Sequence, residues 1–171
     1  MRKRMVVAFT LGLVLLLTNH LSAQDSSIPF KALDTTDEIL KFMRMRTDLQ
    51  SPKLAKEKKS KIRFAMAEYY LKSDDYFDAK VALEEYLQDN LVDVSAILAN
   101  VYLYKIAIRE NNQPRIEAIK KEIFNKKFIL LFDAYKMIPY SSLFGNEYEV
   151  HYYVDRIEIL LNGNVFEIIR A

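Results

Sequence analysis

No glycine occurs between residues 24 and 144 of this 171-residue chain. A β-sandwich built from such a stretch would need several tight turns, and glycine is the residue that most easily adopts their positive φ angles. The absence of glycine therefore favours a helical array. Gly145 and Gly163 both lie in the last third of the chain, so we expect the architecture to change there.

Apolar spacing and turn residues divide this stretch into helices. The clearest amphipathic pattern predicts a helix over residues 75–88, after a turn at Ser73-Asp74-Asp75. Asp93 and Pro114 indicate the starts of two further helices. Ser51-Pro52 predicts another start, with Ser51 as N-cap and Pro52 at the first helical position, for a helix that runs to about Lys72. An earlier helix is expected from about residue 35.

The C-terminal segment has the pattern of strands. Apolar side chains occupy the even positions over residues 148–154 and the odd positions over residues 157–161. A continuous strand with this change would need a bulge near Asp155-Arg156. Asn162-Gly163 is a strong two-residue turn signal, and it predicts a C-terminal β-hairpin. A helix with Gly163 as its C-cap is the competing interpretation. We interpret the apolar residues 128–138 as helix.

A short pattern recurs 32 residues apart, where Ala67 is followed by Tyr70 and Ala99 by Tyr102. A small alanine lets a neighbouring helix approach closely, and a tyrosine three residues later fills the next gap on the same face. Repeats of this length are typical of stacked helix pairs.

With these residues the sequence resembles the tetratricopeptide repeat family. Ala67 falls on the family's small residue, Tyr70 on the aromatic of its first helix, and Ala79 on the small residue that opens its second helix. Leu91 stands where the closing proline is usual, and the second copy matches only in its first helix. The resemblance implies a mainly α fold, a right-handed solenoid of antiparallel helix pairs over residues 35–127. Residues 128–171 would cap this stack with the β-hairpin.

In that family the first helices of successive repeats line a concave groove that binds peptides or partner proteins. By alignment, the residues that would line it here are Phe64, Glu68, Leu71, Lys72, Ala96, Asn100, Leu103 and Tyr104. Phe64 and Tyr104 would give aromatic contact, while Glu68 and Asn100 would hydrogen-bond a peptide backbone. The alternative is that the chain folds its own terminal segments into this groove.

The N-terminus has the three parts of a secretory signal peptide. Arg2, Lys3 and Arg4 precede an apolar run over residues 5–17, and Ala23 offers a small residue for cleavage. The run is shorter than the roughly 20 residues that a membrane-spanning helix needs. We therefore expect cleavage after Ala23, an extended lead-in over residues 24–34, and a periplasmic or secreted protein. An uncleaved N-terminal helix at a membrane is the alternative.

Composition excludes several classes of site. The chain has no cysteine, so it can form no disulfide and no thiolate zinc site, and we expect neither a metal nor a cofactor. Without residues 1–23 it holds 22 basic and 23 acidic residues, which gives no electrostatic reason to bind nucleic acid. His151 is the one histidine outside the signal segment, and beside Glu149 and Asp155 it is a candidate general base.

A basic cluster follows the second helix start, and its members are Lys53, Lys56, Lys58, Lys59, Lys61 and Arg63. Because Glu57 and Lys61 have ion-pair spacing, we interpret this cluster as a solvated helix face. Membrane contact is expected only through this cluster or an uncleaved signal. The expected function is noncatalytic protein–protein interaction or scaffolding in the bacterial cell envelope, with a protein or peptide partner in the groove. A small exported enzyme or glycan-binding protein built around His151 and the C-terminal aromatics is the alternative, and the oligomeric state stays open.

Overall fold

The computed structural model describes residues 35–89, 93–125 and 135–171. In this part of the chain five helices precede a four-stranded sheet. The helices are α1 (Thr35–Leu49), α2 (Lys56–Lys72), α3 (Tyr76–Gln88), α4 (Val94–Arg109) and α5 (Gln113–Ile123). The strands are β1 (Tyr135–Ser141), β2 (Glu147–Tyr153), β3 (Arg156–Leu161) and β4 (Asn164–Arg170). The mainly helical class with a C-terminal antiparallel β element is confirmed, and the right-handed solenoid remains a prediction.

Side-chain caps fix the starts of three helices. Asp75, Asp93 and Asn112 each accept, through a side-chain oxygen, a hydrogen bond from the backbone amide three residues further on. Each bond satisfies an amide of the first helical turn that has no partner within the helix. Pro114 lies in the first turn of α5, where its missing N–H costs nothing. The predicted starts of α3, α4 and α5 are therefore confirmed.

The predicted helix start at Ser51-Pro52 is wrong. Helix α2 begins at Lys56, with Ala55 at the N-cap and no side-chain cap. The Ser51 amide instead donates to Asp48 O at 2.9 Å at the end of α1, and Leu54 N donates to Ser51 O at 3.3 Å. Because Ser51 takes part in this turn, it does not cap a helix.

Consecutive helices pack against one another along the chain, α1 on α2 through to α4 on α5. Ala67 on α2 and Ala99 on α4 have no exposed surface, as the 32-residue pattern predicts. Ala79 on α3 is also fully buried. Small residues at these positions let the helix axes approach closely.

The sheet is an antiparallel meander with the order β1-β2-β3-β4. The turn between β3 and β4 contains Asn162 at φ 52° and Gly163 at φ 79°, the left-handed conformation that two-residue hairpin turns require. The predicted hairpin is confirmed, as part of a larger sheet. The expected bulge near Asp155-Arg156 is instead a reversal of the chain that separates β2 from β3.

The helical interpretation of residues 128–138 is wrong for residues 135–138, which belong to β1. In β1, Ile138 lies opposite Val150 and Tyr140 lies opposite Tyr148. Pairing with β2 supplies the backbone hydrogen bonds of this strand, so its conformation depends on a segment that comes later in the chain. Residues 128–134 lie outside the described residues.

One hydrophobic core joins the helices to the inner face of the sheet. Tyr148, Val150 and Tyr152 alternate along β2 on that face, and all three are buried with side chains of α2, α3, α4 and α5. A smaller cluster packs α1 against α2 and includes Phe42 and Met45. The sheet therefore covers one side of the helical layer.

Candidate functional site

The sheet lies over the helix face where the groove was predicted. Six of the eight predicted groove residues are buried, namely Phe64, Glu68, Leu71, Ala96, Asn100 and Leu103. The four apolar members belong to the same core as the inner side chains of the sheet. Within the described residues these six therefore line no open groove, and the chain's own C-terminal segment contacts Phe64 and Glu68.

Glu68 is the polar centre of this interface. Its Oε1 accepts a hydrogen bond from Asn146 Nδ2 at 3.0 Å and another from the Tyr148 hydroxyl. The hydroxyl oxygens of Tyr148 and Tyr102 are 2.5 Å apart, and because Tyr148 donates to Glu68, Tyr102 is the donor to Tyr148. Glu68 Oε2 has no hydrogen-bond partner in the described part of the chain.

Burial has the largest effect on the pKa values of Glu68 and of the two tyrosines beside it. It raises the pKa of Glu68 to about 7, and the hydrogen bonds from Tyr148 and Asn146 oppose the rise. Burial also raises the pKa of Tyr102 and of Tyr148 well above the usual value, and the nearby Glu68 raises both further. The two tyrosines therefore stay protonated and act as donors, while Glu68 titrates near neutral pH.

Phe64 lies at the centre of an aromatic cluster. Its ring centroid is 5.7 Å from that of Tyr86, 6.2 Å from Tyr102, 5.6 Å from Tyr140 and 6.4 Å from Tyr148. Edge and tilted arrangements at such distances contribute roughly 0.5–1.5 kcal/mol per pair beyond the buried area. Phe64 therefore packs α2 against α3, α4 and the sheet, where the sequence predicted contact with a partner.

Two other polar groove residues are engaged within the helical layer. Asn100 Nδ2 donates to Ala96 O at 3.0 Å, one turn back in α4. Lys72 Nζ lies 2.6 Å from Glu38 Oε1, which joins α2 to α1. Glu38 is buried, so this ion pair is better shielded from water than a surface pair.

Tyr104, the remaining predicted groove residue, lines a surface cleft of about 400 Å³. The cleft is formed by the end of α4, the following turn and α5, and its lining residues are Tyr104, Ile108, Asn111, Gln113, Ile116, Glu117 and Lys120. Ile108 is 41% exposed. Burial raises the pKa of Tyr104, and the carboxylates of Glu167 and Glu117 raise it further, so its hydroxyl stays protonated.

Sequence reasoning missed a second polar link between helices and sheet. Lys105 Nζ on α4 lies 2.8 Å from Glu167 Oε2 on β4, with side chains 14% and 5% exposed. The same ammonium group lies 4.7 Å from the ring centroid of Phe166. The sequence does hold a signal for this link, since Glu167 lies among the apolar residues of β4. A carboxylate at such a position needs a partner when it is buried.

His151 lies on the outward face of β2, away from the helices. Its Nε2 is 3.4 Å from Glu149 Oε2, and its cross-strand neighbours are Met137 and Glu158. Asp155, the other carboxylate of the predicted site, forms an ion pair with Arg156 at 3.2 Å. The structure thus brings Glu149 to His151 and directs Asp155 elsewhere.

The basic cluster at the start of α2 contains the ion pair that its spacing predicts, with Lys61 Nζ 2.9 Å from Glu57 Oε1. Arg63 Nη1 is 2.9 Å from Asp89 Oδ2, and Lys56 Nζ is 3.9 Å from Asp89 Oδ1. Part of the cluster is therefore neutralised by the end of α3.

The described residues form neither a metal-binding cluster nor a membrane-spanning helix. In the three described ranges, no group of three or more His, Cys, Asp or Glu residues could hold a metal ion. No helix in those ranges combines the length and the apolar content needed to cross a membrane.

Comparisons with protein-family models, curated proteins and solved structures find nothing that matches this chain. The structure by itself defines the class, a helical layer with an antiparallel four-stranded sheet on one face. The resemblance to tetratricopeptide repeats remains a prediction from the sequence.

Proposed function

We propose that the protein is a noncatalytic interaction module of the bacterial cell envelope, and that it binds a protein or peptide partner at the α4–α5 cleft. The observation that supports this most is the position of Tyr104. Tyr104 is a predicted groove residue that lines a surface cleft of the described part of the chain. The predicted groove residues further along α4 are buried, so the cleft is the accessible end of the predicted surface.

The chemistry of the cleft suits the side chain of a peptide. Ile108, Ile116 and the ring of Tyr104 give apolar contact area, while polar atoms, including those of Asn111 and Lys120, form the larger part of the lining. Binding sites typically combine an apolar floor, which gives affinity, with a few polar groups that fix orientation. A volume of about 400 Å³ lies in the range of single-ligand pockets, roughly 300–1,000 Å³. We therefore assign the cleft to one or two side chains of the partner that make apolar contact with the isoleucines and polar contact with the rest of the lining.

The role proposed for Tyr104 follows from its protonation state. A tyrosine hydroxyl is protonated at neutral pH and can donate a hydrogen bond, and the upward shift in the pKa of Tyr104 preserves this state. A rigid aromatic ring with such a donor is a common energetic centre of protein interfaces. The partner would thus present an acceptor, such as a backbone carbonyl, beside its apolar side chain.

Photocrosslinking in intact cells tests the proposed site. A photoreactive residue at Ile108 should form a covalent adduct with the partner, and a second substitution, Tyr104→Ala, should reduce its yield about tenfold or more. The matched control places the photoreactive residue at Val154, which is 66% exposed on the β2–β3 turn. An equal adduct at Val154, or none at Ile108, would contradict the proposal.

The proposed location rests on residues 1–23, whose features are those of a cleavable signal. Mass spectrometry of the protein recovered from fractionated cells should find Gln24 at the N-terminus, in the envelope or the medium. An intact N-terminus on protein from the cytosol would contradict the proposed location while leaving the crosslinking result unaffected.

A further inference from the structure

Helix α1 has two apolar faces. Phe42 and Met45 point towards α2 and are buried. Ile39, Leu40 and Met43 lie on the other side of the helix and are 50%, 52% and 54% exposed. An ordinary surface helix has one apolar stripe, which faces the core. A second stripe on the solvent side therefore indicates a further packing partner.

The exposed face has the spacing of a helix–helix seam. Thr36, Leu40, Met43 and Thr47 recur at intervals of four, three and four residues, and all four are exposed. These intervals are those of the a and d positions that meet in a two-helix coiled coil. A two-fold axis that passes between positions 41 and 42, perpendicular to the helix, would set Leu40 of one copy against Met43 of the other. Thr36 would then face Thr47.

The charged residues beside this seam are complementary to the same residues in a second copy of the chain. Asp37 and Arg44 lie one heptad apart on the same edge of the seam, and both are exposed. Among the described residues, neither has a hydrogen-bond or ion-pair partner. A two-fold axis perpendicular to the helices brings identical edges together, so Arg44 of each copy would lie beside Asp37 of the other. A parallel arrangement would instead bring opposite edges together and separate these charges.

We propose that two copies of the chain associate through this face of α1, as an antiparallel symmetric pair. Self-complementary faces of this kind are typical of two-fold homodimers. The cleft of Tyr104 is formed by α4 and α5 rather than by α1, so each dimer carries two clefts. The dimer is independent of what those clefts bind.

The charge pair gives a direct test of the arrangement. In Asp37→Arg both positions on the edge carry a positive charge, and in Arg44→Asp both carry a negative charge. Because position 37 of one copy lies beside position 44 of the other, each variant alone places like charges next to each other. We expect each to weaken dimerisation about tenfold or more. An equimolar mixture of the two variants should form a heterodimer, because every cross pair is then of opposite sign. Sedimentation velocity over a wide concentration range measures all three samples.

Two further variants locate the surface. Leu40→Glu combined with Met43→Glu should make the purified protein monomeric, because charged groups would enter the apolar seam. Phe77→Glu changes a side chain that is 76% exposed on α3 and should leave the dimer intact. Circular dichroism checks that each variant keeps the helical content of the unaltered protein.

Several results would overturn the inference. These are an unaltered protein that stays monomeric at every concentration, a dimer that survives the Leu40 and Met43 changes, or a mixture of charge variants with no heterodimer. Vesicles of phosphatidylcholine and phosphatidylglycerol provide the remaining test. If the monomer binds them and the Leu40 and Met43 changes abolish binding, the face contacts lipid and the dimer is excluded.

Discussion

Asn146 Nδ2 donates a hydrogen bond to Glu68 Oε1 at 3.0 Å and so joins two residues that are 78 positions apart in the chain. Glu68 lies on α2, and Asn146 immediately precedes β2. The Tyr148 hydroxyl donates to the same oxygen from within β2. The sheet is therefore fixed on the helical layer by directional polar contacts as well as by apolar packing, and Glu68 orients the chain's own strands.

The contribution of Glu68 to the stability of the protein should fall as pH rises from about 4.5 to about 7. The pKa of Glu68 is 4.5 when unperturbed and about 7 in the fold, so across this interval the folded state retains a proton that the unfolded state releases. The contribution amounts to about 3 kcal/mol, is fully present below pH 4.5 and is lost above pH 7. Urea unfolding at a series of pH values measures it.

Glu68→Gln isolates this contribution from that of the other carboxylates. The amide is nearly isosteric, keeps an oxygen that accepts from Asn146 and Tyr148, and does not titrate. The difference in unfolding free energy between the variant and the unaltered protein should therefore change between pH 4.5 and 7 and be constant above. A constant difference throughout would show that Glu68 has an ordinary pKa.

Tyr148→Phe should destabilise the protein by about 1–3 kcal/mol, because it removes a donor to the buried Glu68 and the acceptor of Tyr102. It should also raise the pKa of Glu68 further. Tyr69→Phe keeps the ring that stacks on Phe42 and removes a hydroxyl that forms no hydrogen bond among the described residues, so it should stay within about 0.5 kcal/mol. Urea unfolding compares the two variants, and equal losses would contradict the proposed network.

Lys105→Met should cost about 3 kcal/mol or more, because it leaves Glu167 buried without its ion-pair partner. Adding Glu167→Gln should restore much of this loss, since the uncompensated charge is then removed. The exposed pair of Lys61 and Glu57 gives the control, and Lys61→Ala should cost less than about 1 kcal/mol. Purely additive losses for Lys105 and Glu167 would argue against direct coupling.

Gly163→Ala should destabilise the β3–β4 hairpin by about 1–2 kcal/mol, because an L-residue is strained at its φ of 79°. Nothing lies within 4 Å of the added methyl group, so the cost is one of backbone conformation alone. Gly163→Asn should cost less, since asparagine tolerates this region better. Thermal unfolding measures both, and an equal loss for Ala and Asn would point to a different cause.

Local signals predicted the parts of the fold that depend on neighbouring residues. Asp75, Asp93 and Asn112 cap helices within three residues of themselves. Ser51 was misleading because its amide closes a turn at the end of α1. Strand β1 could not be recognised, since its pairing partner is supplied by a later segment. Six of the predicted groove residues are buried, and the C-terminal segment contacts two of them directly, Phe64 and Glu68.

The sequence by itself determined the helical array and the turn at Asn162-Gly163, because caps, apolar periodicity and positive φ act over a few residues. Only the tertiary structure decided that Glu68 is buried under Asn146 and Tyr148, and that Lys105 meets Glu167. These contacts join residues 62 to 80 positions apart. A glutamate on a helix is locally the same whether water or a sheet lies above it, so the burial that raises its pKa exists only once the layers have packed.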